Sequence, residues 1–121
     1  MLVLGLVLAG IVGAPTRYLV DGLVLDRSDG TLPLGTLFVN VTGSFLLGVL
    51  TGLALYHAFP STPKTILGTG FCGAYTTFST FTYETIRLAE ARETAAALRV
   101  LVSSLVVPAL AAALGLALAA L

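Results

Sequence analysis

With 121 residues, 57% of them apolar and 10% charged, the chain carries less than half the charge of an ordinary soluble domain, where about a quarter of residues are charged. Its formal net charge is zero, so no polybasic surface points to nucleic acid or anionic lipid headgroups as a partner. A single cysteine excludes an intrachain disulfide, and neither Cys72 nor His57 stands in a ligand cluster, which leaves Cys72 a small packing residue.

The charges leave long clean runs: residues 1–16, 30–63, 65–83 and 100–121 carry none, and mean hydropathy is +1.02. A helix that crosses a bilayer needs roughly 20 mostly apolar residues. The pattern predicts an all-α integral membrane protein, a single domain over 1–121, with four spans at about 2–20, 33–56, 64–86 and 99–120. A soluble bundle is the rival, but four such helices leave no polar face for water.

No basic residue follows Met1 and Arg17 sits at the far end of the first run, so that run reads as a retained span rather than a cleaved leader. Gly5, Ala9 and Gly13 recur at four-residue spacing and admit a close neighbour. Arg17 is either a counter-ion or an anchor reaching the interface. A polar connector follows over 21–32, with Asp21, Asp26, Arg27, Asp29 and Gly30. In the second span Asn40, Ser44, Gly48 and Gly52 repeat the spacing. Asn40 offers two N–H groups to an anion or one bond to a neighbouring helix.

Pro60 and Pro63 mark the turn before the third span. There Gly68, Gly70 and Gly73 precede Thr76, Thr77, Ser79, Thr80 and Thr82. Glycine and β-branched threonine weaken a helix, and hydroxyls can bond the carbonyls that a break sets free. Two readings stand level: a break near 73–77, of the kind that lines a cavity or holds an ion, or a continuous helix whose hydroxyls bond back to it. Phe78 and Phe81 share a helix face, and ring edges are positive; the alternative for both is plain packing. The last connector is read over 88–98. The fourth span carries Ser103 and Ser104, a small-residue row at Ala111, Gly115 and Ala119, and Pro108, which predicts a kink.

Near the span ends, Arg27, Arg87, Arg92 and Arg99 fall on one side and Lys64 on the other, which places the first and last connectors in the cytoplasm. Four helices are too few to enclose a wide pore, so a dimer is expected. No Ser-His-Asp, Cys-His or paired-carboxylate set is present, and the chain is not read as an enzyme.

The stretches 13–18 (GAPTRY), 35–45 (GTLFVNVTGSF) and 70–84 (GFCGAYTTFSTFTYE) resemble the three signature segments of the Fluc-type fluoride channels of the CrcB family, in the same order and across nearly the whole chain. The resemblance implies passive, fluoride-selective export through the plasma or inner membrane, protecting the cell from fluoride. It implies an antiparallel, dual-topology dimer with helix 3 broken mid-membrane, two fluoride pathways and a structural sodium ion at the centre. The partner is then a second copy, or a paralogue in a two-gene version. On the same ground Asn40, Phe78 and Phe81 meet the anion, and Ser79, Thr80 and Thr82 extend the path, with Ser104 from the fourth span. Backbone carbonyls of Gly73 and Thr76 hold the sodium, and Arg17 and Glu84 are structural polar residues. The fourth span departs from the family pattern: Val100 stands where a Tyr is frequent, and Pro108 where a second Ser is. A small four-helix multidrug exporter is the competing class, but it needs a carboxylate in its first helix, and no acid precedes Asp21. A non-conducting structural subunit is a third reading, against which the dense polar motif of the third span speaks.

Overall fold

The computed structural model describes residues 1–25 and 33–121. Asp26, Arg27, Asp29 and Gly30 lie outside the described residues, and with them one of the four basic residues counted for orientation. Every element among the described residues is helical. Helix α1 is Leu2–Leu25 and α2 is Leu34–Tyr56. The third stretch is composite: α3 over Ser61–Thr65, a π-helical turn (π1) over Ile66–Cys72, α4 over Gly73–Tyr75, then α5 over Ser79–Glu90. Helix α6, Thr94–Ala119, closes the chain. Three helices (α1 over Leu2–Val24, α2 and α6) are long and apolar enough to cross a membrane, and the chain is a multi-pass membrane protein.

Several boundaries differ from the sequence reading, each for a local reason. Helix α1 runs past Asp21 to Leu25, because Leu23 and Val24 extend its apolar pattern. The Asp21 carboxylate meanwhile packs on Gly35 in the first turn of α2, where a Cβ would strike it. The positive end of a helix dipole suits a carboxylate there. Helix α3 starts at Ser61, with Pro63 in its first turn, where a missing N–H costs nothing. Helix α6 starts at Thr94 because Ala95, Ala96 and Ala97 are strong helix formers. The last connector shrinks to Ala91–Glu93, with Arg92 in the left-handed region at φ 62°. Helix α6 continues through Pro108 to Ala119.

Close approach between helices fixes the bundle. A Cβ on Gly48 would run into the Ala112 backbone, and one on Gly52 would lie 3.0 Å from the Leu116 carbonyl. Both pairs are sixty-four residues apart, so α2 and α6 run parallel, residue by residue. The same step sets Thr36 level with Val100 and Asn40 level with Ser104; all four are buried. His57 Nε2 closes the far end, 2.8 Å from the Ala119 carbonyl oxygen. Helix α1 lies parallel to the third stretch in the same fashion: a Cβ on Gly70 would come 2.8 Å from Ala9 Cβ, and one on Gly13 would come 3.1 Å from Ala74 Cβ. Between helices in lipid there is no hydrophobic drive, so backbone approach and dispersion hold the bundle.

Candidate functional site

The third stretch never settles into one winding. Its glycines weaken the α-helix, and between Ile66 and Cys72 the hydrogen bonds widen to the π register, with the Gly73 N–H reaching Gly68 O. Cys72 is buried there. Helical winding stops after Tyr75: Thr76 is extended (φ −84°, ψ 164°) and α5 begins only at Ser79. Two consecutive β-branched threonines favour that extended backbone.

Leaving the helix strands backbone groups, and two neighbouring helices take them up. In a continuous α-helix the Thr77 N–H would donate to Gly73 O. Here it donates to Asn40 Oδ1 at 2.8 Å, while Asn40 Nδ2 donates to Thr77 O at 2.8 Å. The side-chain amide thus pairs with the Thr77 backbone on both edges, and that pairing fixes which way the amide points, since the Thr77 N–H needs an acceptor and its carbonyl a donor. From α1, Arg17 Nη1 donates to Thr76 O at 3.0 Å. The Thr76 hydroxyl donates back to Cys72 O at 2.9 Å. Gly43, one turn after Asn40, makes room: a Cβ there would collide with the Thr76 methyl and lie 3.1 Å from the Tyr75 ring.

Beyond the break the hydroxyls organise the start of α5. Thr77 Oγ1 lies 3.0 Å from Thr80 Oγ1 and 3.3 Å from Ser79 Oγ, and accepts from the Thr80 N–H at 3.4 Å. The Thr82 hydroxyl donates to Ser79 O at 2.9 Å and Phe78 O at 3.1 Å, so it is turned back on its own helix. Phe78 and Phe81 meet edge to face, with centroids 4.8 Å apart and planes at 76°. Their environments are opposite: Phe81 is 3% exposed and Phe78 68%.

The structure therefore gathers Arg17, Asn40, Thr76, Phe78, Ser79, Thr80 and Phe81 around one interruption. Ser104 is buried on α6, and the sixty-four-residue step seen at Gly48 and Gly52, carried two turns further, sets it level with Asn40. Gly73 lies on the exposed side of the interruption, where a Cβ would meet nothing within 4 Å. Glu84 is not part of the cluster's bonding; it pairs with Arg87 at 3.3 Å on α5. Ser103 bonds back to Arg99 O at 2.6 Å. The sequence reading missed Thr77 as the backbone partner of Asn40, and the Thr42–Tyr75 hydroxyl contact at 2.9 Å. A signal for the first was present: Thr36, Asn40 and Gly43 fall on one face of α2, and all three are buried.

Comparison with known proteins covers most of the chain. The profile of the family described as CrcB-like protein, Camphor Resistance (CrcB), matches residues 4–116. The chain is 51% identical over 98 residues to the fluoride-specific ion channel FluC 1 of Leifsonia xyli subsp. xyli, covering 81% of this chain and 72% of that one. It is 49% identical over 112 residues to the fluoride-specific ion channel FluC 2 of Mycobacterium tuberculosis, covering 93% and 86%. Against the fluoride-specific ion channel FluC 2 of Mycolicibacterium paratuberculosis it is 48% identical over 117 residues, covering 97% and 93%.

Proposed function

The chain belongs to the CrcB family, and from that premise we propose that it is a passive, fluoride-selective channel of the plasma or inner membrane. Its relatives are named as ion channels, and the chain stands with them as a transporter, not an enzyme. The observation that carries the reading is the Asn40 amide paired with the Thr77 backbone at the interruption of the third stretch, in a polar cluster whose one charged member, Arg17, is engaged by the Thr76 carbonyl.

Fluoride enters cells as neutral HF and ionises inside, where it is trapped. A negative-inside potential then drives the anion out through a pore, at about 2.3 kcal/mol per charge per 100 mV. The pore must replace a tightly held hydration shell without a fixed cation that would trap the ion. Asn40 Nδ2 has two hydrogens; one serves Thr77 O, and the second is left to donate to fluoride. Phe78 and Phe81 supply positive ring edges, one open to the surroundings and one inside. Ser79 and Thr80 hydroxyls continue the path, Ser104 adds one level with Asn40, and Thr82 contributes least because its hydroxyl is turned back on α5. Purified chain in liposomes should release fluoride under a potential at least about a hundredfold faster than chloride. Equal fluxes would defeat the selectivity, and proton-coupled efflux of organic cations would favour an exporter.

We further propose an antiparallel dimer, broken at mid-membrane in its third helix, with sodium at the centre. Gly73 supports this: its carbonyl has lost its helical donor to Asn40, and its side faces open space. The Thr76 carbonyl fits as a shared ligand, with one lone pair engaged by Arg17 and one left. Carbonyl oxygens suit a hard monovalent cation, which would tie two breaks together. Dual orientation is tested by tagging the C-terminus: label reaching it from both sides of the membrane is expected. Labelling from one side alone, as the basic bias of the connectors would favour, overturns the antiparallel dimer.

A further inference from the structure

The guanidinium of Arg17 is half-buried and donates to the same Thr76 carbonyl that the sodium reading assigns to the ion. We propose that Arg17 and sodium compete for this oxygen, so that the charge of Arg17 sets how tightly the ion is held; the inference rests on the sodium reading given above. A carbonyl oxygen has two lone pairs, so its valence allows both partners, but their like charges make each weaken the other's hold. With Nη1 at 3.0 Å and a hard cation at about 2.4 Å from the same oxygen, the cation and the near edge of the guanidinium lie at most about 5.4 Å apart. At that separation inside a membrane protein, salt screens little and repulsion is strong.

Among the described residues no carboxylate is bonded to the Arg17 guanidinium to relieve that repulsion. Asp21 lies one turn beyond Arg17 on α1, but its carboxylate packs on Gly35 at the start of α2. Glu84 is taken up by Arg87. The other side chains that bond along residues 75–77 among the described residues are neutral: Asn40 on the Thr77 peptide, the Thr76 hydroxyl directed to Cys72, and the Thr42–Tyr75 pair. Arg17 is therefore a positioning residue with two effects. In the absence of the ion it holds the Thr76 peptide, and in its presence it weakens the site.

Charge and hydrogen bonding are separated by two variants. Arg17→Lys keeps the charge and loses the planar fork; Arg17→Gln keeps a donor and loses the charge. The readout is the thermal unfolding of the purified dimer against sodium chloride, at constant ionic strength made up with a large organic cation. Arg17→Gln should reach half its sodium stabilisation at a concentration at least tenfold below the wild type, with Arg17→Lys within threefold of it. If the wild type responds to sodium and Arg17→Gln has the same midpoint, the competition is wrong while the sodium site stands. If neither protein responds to sodium, the sodium reading falls and this inference with it. Should Arg17→Gln fail to form a dimer, the native protein gives the answer. Modification of Arg17 by an arginine-specific dicarbonyl, followed by peptide mapping, should quicken at least threefold in saturating sodium, and an unchanged rate overturns the proposal.

Discussion

Asn40→Asp is expected to lower fluoride flux by at least about a hundredfold while the protein still folds and pairs. Two effects act together. The new oxygen faces Thr77 O at the 2.8 Å now spanned by an N–H donor, so two acceptors oppose each other and the Thr77 peptide is released on that edge. The other edge survives, because Asp still accepts from the Thr77 N–H. Then there is the charge: at roughly 4 Å, with an effective dielectric near 20, a carboxylate repels a passing anion by about 4 kcal/mol. Each 1.36 kcal/mol is tenfold in rate, so a hundredfold fall leaves room for partial protonation. Phe78→Ile and Phe81→Ile keep bulk and lose the ring edge, and should fall in the same liposome assay. Wild-type flux in all three variants would remove these residues from the path.

Gly48→Val should cost the fold about 3 kcal/mol or more, seen as a lower midpoint of detergent-solubilised protein in a denaturant titration. Its Cβ would run into the Ala112 carbonyl oxygen and lie 2.9 Å from the carbonyl carbon and 3.1 Å from the Cα. Overpacking typically costs 1–3 kcal/mol when side chains can move aside; here the obstacle is backbone, so α2 and α6 must separate along their shared register. Gly22→Ala is the matched control, since a Cβ there meets nothing within 4 Å, and it should be neutral or stabilising by up to about 1 kcal/mol. Equal midpoints for the two variants would show that the α2–α6 approach is not what holds the bundle.

Charge-free runs make α2 and α6 legible from the residues alone, because a bilayer demands length and apolarity and little else. The end of α1 is not legible in that way, since an acid usually stops a span, and nothing local says that Asp21 will find Gly35 at the head of the next helix. In the third stretch the glycines and threonines explain why the winding is weak. They do not say which residues collect the stranded backbone groups, because Arg17 and Asn40 stand 59 and 37 residues away from Thr76 and Thr77. The identity of Asn40 as a polar group within a span is plain from its row. Its second task, standing in for a strand of backbone beside Thr77, emerges only when α2 is laid against the break.

The π-helical turn over Ile66–Cys72 places a constraint on insertions and deletions. An α-helix advances by about 100° per residue. A π turn closes on bonds five residues apart and takes up about one residue more than α winding over the same rotation, so removing one residue from it would let it rewind as α-helix with both flanks still in step. Removing one from the α-helix beside it has no such slack, and everything on one side would rotate by that angle against the other: Gly13 would lose its place beside Phe71 and Ala74, and the Thr76 carbonyl would turn from Arg17. Substitutions here are tolerable one at a time, according to size. A loss in length is absorbed only inside the π turn.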